Sequence, residues 1–296
     1  MASTIDELKN RFRRGNLCIR LIYITVALFV VCQVAEVCMT LFNQSIQPLF
    51  RWLELPASLE RLMWQPWSLV TYLFMHGGVI HLLFNMLWLH WFGNLFLQNF
   101  STNHFRGLYL LGGLGAALSY LVAFNCFPYF QPMVPYSYML GASGAVLAIV
   151  AAVAYRIPDQ RVQLLLIGTV RLSTLAIITV VMDLLFVTSS NGGGHIAHLG
   201  GAATGLIWAW ALTKGTDLTR GINALLTAIE RLFSPKPRQP KMKVTYGGKH
   251  GSDYDYNARK KSEDEAVNQI LDKLKKSGYE SLTTEEKQRL FSASRH

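Results

Sequence analysis

Charge is scarce in this chain. Of its 296 residues only 16% are Asp, Glu, Lys or Arg, against about 25% in ordinary soluble domains, a deficit that argues against a soluble enzyme. The four cysteines, Cys18, Cys32, Cys38 and Cys126, form no CxxC pair, so neither a zinc ribbon nor a disulfide framework is expected. There is no glycine-rich phosphate loop and no long charged stretch suited to a nucleic-acid groove, which sets both classes of ligand aside. Charge is missing altogether from residues 125–137 and 189–193.

Apolar residues are what the chain has in excess. They make up 51% of it, and the mean hydropathy is +0.25 although the last third is polar. About 20 apolar residues in helical form cross about 30 Å of hydrocarbon. Six stretches qualify: 21–42, 79–98, 108–124, 138–155, 172–188 and 194–212. The first is too long for a secretory signal and lacks a small-residue cleavage site, so it counts as a span. The expected fold class is an all-α integral membrane protein with six transmembrane helices and a helical tail.

The formal charge of +10 is placed asymmetrically. Lys9, Arg11, Arg13, Arg14 and Arg20 lie at the first span, Arg106 follows the second, and Arg156, Arg161 and Arg171 follow the fourth. By the positive-inside rule both termini are cytoplasmic, and the second, fourth and sixth spans run inward from the outer face. Lipid is the expected counterpart of this charge, not nucleic acid. The connection 43–78 interleaves Phe50, Trp52, Leu59, Met63, Trp64 and Trp67 with Arg51, Glu54, Glu60 and Arg61, the pattern of a segment lying in the outer interface. Three regions follow: a cytoplasmic arm at 1–19, a membrane domain at 20–213, and a basic linker with a short helical tail at 214–296. Ala266, Ile270, Leu271 and Leu274 are spaced for a helix, and Thr283-Thr284-Glu285-Glu286 starts another. So small a tail buries little core of its own. It is expected to regulate, to dock a cytoplasmic partner, or to be only marginally ordered.

Polar groups inside spans are costly and are functional candidates by default. His81 and Asn85 are four residues apart and share a helix face, with His76 five residues before. Ser143 stands in Gly141-Ala142-Ser143-Gly144, and His198 in Ala197-His198-Leu199-Gly200-Gly201, with His195 one turn earlier. Counted from the outer ends, Ser143, His198, His81 and Asn85 lie at a common depth of roughly 5 to 10 Å. A serine hydroxyl becomes a nucleophile when an imidazole removes its proton, and that imidazole can then protonate a leaving amine. Ser143 and His198 suit those roles, and the Ser143 N–H with the side chains of His81 and Asn85 suits an oxyanion hole. Gly141 and Gly144 permit close approach to Ser143. Gly201 and Gly205 form a small face for packing on Ala145, Ala148 and Ala152. His195 is the alternative base or a cavity-rim residue, and Asp183 in the fifth span is a candidate third member.

These motifs resemble the rhomboid intramembrane serine proteases. The match rests on Gly141-Ala142-Ser143-Gly144, on Ala197-His198-Leu199-Gly200-Gly201 and on His76-x4-His81-x3-Asn85, in the order and on the helices of that family, and it covers about residues 20–213. The resemblance implies the six-helix rhomboid fold, a Ser143–His198 dyad, an oxyanion hole at His81 and Asn85, and cleavage of transmembrane substrates near the outer surface of a bacterial plasma membrane. It implies water as the co-reactant, with no metal and no cofactor. The connection 43–78 resembles the interfacial loop of the family and 189–193 its cap. Leu147 stands where many relatives carry an aromatic residue against the histidine, and Leu97 where they often carry Glu. The alternative is a rhomboid-like protein that binds transmembrane clients without cutting them.

Overall fold

The computed structural model describes residues 4–164, 168–233 and 251–293. Thr4–Arg14 forms α1. Asn16 then caps α2, Leu17–Leu41, its side chain accepting the N–H of Ile19 at 3.0 Å, which satisfies one of the free donors of a helix start. The connection to the next long helix holds α3 (Gln47–Arg51), β1 (Leu55–Pro56), α4 (Leu59–Trp64), α5 (Ser68–Thr71) and a 3₁₀ turn at Tyr72–Phe74. Side chains brace these pieces. Trp52 and Trp67 stack with centroids 5.8 Å apart, Gln65 Nε2 donates to the carbonyls of Arg51 and Glu54, and Thr71 Oγ1 donates to that of Leu53.

Long apolar helices follow: α6 at Val79–Asn99, α7 at Thr102–Cys126, then β2 at Tyr138–Met139, α8 at Ser143–Arg156, β3 at Arg161–Leu164, β4 at Gly168–Arg171, α9 at Leu172–Leu185 and α10 at Gly192–Thr213. Four of them, α2, α6, α7 and α10, are long and apolar enough to cross a membrane, while α8 and α9 are apolar helices of 14 residues each. The chain is a multi-pass membrane protein, mostly helical.

Two short antiparallel ladders modify the all-α expectation. Leu55 pairs with Met139 and Pro56 with Tyr138; Arg161 to Leu164 pair with Arg171 to Gly168. The first ladder corrects the expected span at 138–155. Residues 138–142 are strand and loop, and the helix begins only at Ser143. Gly141 makes the turn with φ +119°, in the left-handed region that favours glycine, and its N–H donates to the carbonyl of Tyr72 at 2.9 Å.

The core lies among α7, α8 and α10, where small residues let backbones touch. A Cβ at Gly112 would collide with Ala148 Cβ, one at Gly201 with the carbonyl of Gly144, and one at Gly205 with the carbonyl of Ala148. After α10 the chain turns through Asp217 into α11, Arg220–Phe233. Arg106 Nη1 on α7 reaches Glu230 at 2.7 Å, and Asn223 Nδ2 donates to the Asn103 carbonyl at 3.0 Å. This helix therefore docks on α7, and the compact unit that contains it runs over residues 1–235, past the boundary expected at 213.

Residues 236–296 form a second compact unit. It contains α12 (Gly251–Ser277) and α13 (Thr284–Ala293). Thr283 and Glu286 exchange the two hydrogen bonds of a capping box, and Lys273 pairs with Glu286 at 2.9 Å. The proline- and lysine-rich linker expected at 236–249 lies outside the described residues.

Candidate active site

Ser143 is the first residue of α8, so its own N–H precedes the helix ladder and has no intrahelical acceptor. The residues on either side set its surroundings. Any Cβ at Gly141 would stand 2.8 Å from Cε1 and 2.9 Å from Nε2 of His81, and 3.9 Å from Ser143 Oγ. The His81 ring thus packs directly on the Gly141 backbone beside the hydroxyl. Gly144 backs onto α10, where a Cβ would come 3.2 Å from the carbonyl of Ala197, the neighbour of His198.

These approaches create a cavity of about 280 Å³. Ser143, His198, His81 and Asn85 all line it, as does Leu147 one turn after the serine. Phe84 and Trp88 of α6, Thr179 of α9 and Asn191 before α10 are also in the lining. None of those four was singled out from sequence, because only the packing of α6, α9 and α10 around α8 shows which face of each is turned inward. Asn85 is buried, and its Nδ2 donates to the carbonyl of His81 at 2.9 Å. An amide carries two N–H groups, so one remains for a ligand in the cavity.

The Asp183 carboxylate is the next layer. Its Oδ1 lies 2.9 Å from His198 Nδ1 and 2.8 Å from His195 Nδ1. A carboxylate only accepts, so both contacts place a proton on Nδ1 and leave the Nε2 lone pair of His198 open as an acceptor. Asp183 is 5% exposed, and its Oδ2 is buried without a hydrogen-bond partner among the described residues. The expectation of no metal ligand meets a qualification here: Asp183, His195 and His198 offer ligand atoms within 4.8 Å of one another.

His76 stands apart from this cavity. It lines a separate one with Glu36, Phe50 and Glu54, although its ring lies 5.1 Å from that of His81. Its Nδ1 contacts the carbonyl of Phe74 at 3.3 Å. Burial, and secondly the His81 ring, push its pKa down to about 4, against a smaller upward pull from that carbonyl.

Comparison with known proteins identifies the family. Residues 63–215 match the Rhomboid domain, and residues 252–296 match a family of unknown function, DUF6576. Among curated proteins the chain is 33% identical over 158 residues to RHOMBOID-like protein 12, mitochondrial, of Arabidopsis thaliana, covering 50% of this chain and 47% of that protein. It is 29% identical over 166 residues to Presenilin-associated rhomboid-like protein A, mitochondrial, of Danio rerio, covering 55% and 40%. It is 28% identical over 152 residues to RHOMBOID-like protein 4 of Arabidopsis thaliana, covering 49% and 34%. The chain thus spans less than half the length of each of these relatives. The domain match takes in Ser143, His198, His81 and Asn85 together with most of the helical core around them, and the chain belongs to the rhomboid family.

Proposed function

We propose that this protein is an intramembrane serine endopeptidase that hydrolyses peptide bonds in or near transmembrane helices of other membrane proteins. One observation carries the reading: Ser143 and His198 line a single cavity with His81 and Asn85, and Asp183 holds the far nitrogen of His198. All six apolar helices are taken as crossing the membrane, α8 and α9 as short spans. The division into an arm at 1–19, a membrane domain at 20–213 and a tail at 214–296 belongs to the same reading, with α11 attached to the membrane domain.

In the reaction, His198 Nε2 takes the Ser143 proton as Oγ attacks the scissile carbonyl. Asp183 keeps the imidazole in the competent tautomer and balances the imidazolium that forms. The oxyanion meets the Ser143 N–H at the start of α8, the second amide proton of Asn85 and the His81 ring. The imidazolium then protonates the departing amine, and water, activated by the same nitrogen, releases the acyl group. Substrate reaches the serine sideways between α6 and α9, where Phe84, Trp88 and Thr179 line the cavity. A helical backbone hides its carbonyls in hydrogen bonds, so the substrate helix unwinds at the scissile bond, and small helix-destabilising residues are favoured there.

Both termini are placed on the arginine-rich side. The exposed Trp52, Trp64 and Trp67 lie in the opposite interface. The bacterial plasma membrane is the proposed location, with the mitochondrial relatives as counterparts in another compartment. A fluorophosphonate probe tests the serine: labelling of the wild type that is lost in Ser143→Ala and His198→Ala supports the reading. Absence of labelling in all three favours the client-binding alternative.

A further inference from the structure

We propose that Asp183, His195 and His198 form a binding site for a divalent cation of the zinc type, and that a cation held there switches the serine chemistry off. The second half rests on the protease reading; the first does not.

The donor set is a carboxylate from α9 and two imidazoles one turn apart on α10. Their ligand atoms lie within 4.8 Å of one another, and both Nδ1 atoms are within 2.9 Å of the same oxygen. Two imidazoles and a carboxylate, with a fourth position left to water, are a ligand set zinc accepts. With bonds of about 2.0–2.1 Å, the ligand atoms of a tetrahedral site stand about 3.4 Å apart. The two oxygen–nitrogen contacts open by roughly half an ångström to reach that spacing, and the two Nδ1 atoms, within 4.8 Å of each other, adjust to the same distance. The second, independent observation is Asp183 Oδ2. It is fully buried on a side chain 5% exposed and has no hydrogen-bond partner among the described residues. Such an oxygen loses its hydration with nothing in return, and a cation beside the carboxylate removes that deficit. His195 and His198 keep partial exposure, which leaves both imidazoles open to an ion from outside.

The consequence for the dyad follows from one proton. Without a cation, Asp183 holds the proton on His198 Nδ1 and leaves Nε2 as an acceptor. A cation on Nδ1 displaces that proton, and a neutral imidazole then carries its single N–H at Nε2. Nε2 becomes a donor and cannot take the proton of Ser143.

The test uses the full-length Ser143→Ala protein, purified in detergent without a polyhistidine tag and titrated calorimetrically with ZnCl₂. The expected result is one bound equivalent, with affinity reduced at least about tenfold in Asp183→Asn and in His195→Ala. A variant that does not elute as a folded, monodisperse species is replaced by His195→Gln. No binding, or equal binding by the folded variants, overturns the site. In the Ser143 protein, zinc is expected to stop reporter cleavage, chelator to restore it, and His195→Ala to need at least about tenfold more zinc relative to its own zinc-free rate. Zinc bound at this site with cleavage unaffected overturns the switch. A protein that cleaves nothing at any zinc level contradicts the protease reading, while the titration still decides the site.

Discussion

The carboxylate of Asp183 lies 2.9 Å from Nδ1 of His198, fifteen residues later in the chain and on the next helix. In the proposed reaction Asp183 is the anion that orients the imidazole. Asp183→Asn keeps the size of the side chain and removes its charge, and its amide can turn an N–H toward the ring and impose the wrong tautomer. Cleavage is expected to fall by about 10²-fold or more, with Asp183→Glu recovering part of the loss. An unchanged rate in Asp183→Asn contradicts the orienting role.

Helix contact is the second requirement. Gly201 rests on the backbone of Gly144, next to Ser143, and a methyl group there has nowhere to go. Gly201→Ala is expected to cost about 1–3 kcal/mol by overpacking and to suppress cleavage by parting α8 from α10. Gly221→Ala on α11, where a Cβ meets nothing within 4 Å, is the control. Thermal unfolding in detergent and reporter cleavage read both; equal effects of the two substitutions would refute the packing account.

His76 is expected to make the fold sensitive to mild acid. Its folded value of about 4 lies below the ordinary histidine value of about 6.5, so between the two the unfolded chain binds the extra proton. Stability therefore rises with pH through that window, is complete above it, and falls as the medium is acidified from about 6.5 toward 4. His76→Gln is expected to flatten this decline in melting temperature. A slope identical to that of the wild type would show that His76 does not cause it.

Asp217 anchors the turn into α11. Burial alone would raise its pKa, but the hydroxyl and N–H of Thr219, the Trp208 indole and His104 together hold it below the usual carboxylate range. Its contribution is present above about pH 4 and is lost as pH falls through the lowered folded value. Asp217→Ala is expected to cost about 1–3 kcal/mol and to speed amide exchange across Arg220–Phe233. Unaltered protection there would place the anchor elsewhere, at Arg106 and Glu230.

Local spacing made Ser143, His198, His81 and Asn85 legible from sequence, because each sits in a short motif on an apolar helix. Asp183 was visible as a carboxylate in a span, yet its partner depends on how α9 meets α10, which no local pattern encodes. The start of α8 was misplaced for a similar reason. Tyr138, Met139 and Leu140 read as apolar helix, but Met139 pairs with Leu55, far back in the chain. The docking of α11 rests on Arg106 reaching Glu230, again a contact between distant residues. The charge asymmetry predicted a side for Arg106 but no partner.

The central claim is that Ser143 cuts peptide bonds with His198 as its base. Purified full-length protein is incubated in detergent with a single-span transmembrane reporter, beside Ser143→Ala and His198→Ala, and the products are identified by mass. A cleavage product from the wild type alone, with its cut near the outer end of the reporter helix, is the predicted result. The same product from Ser143→Ala, or none from a wild type that binds the reporter, would contradict the account.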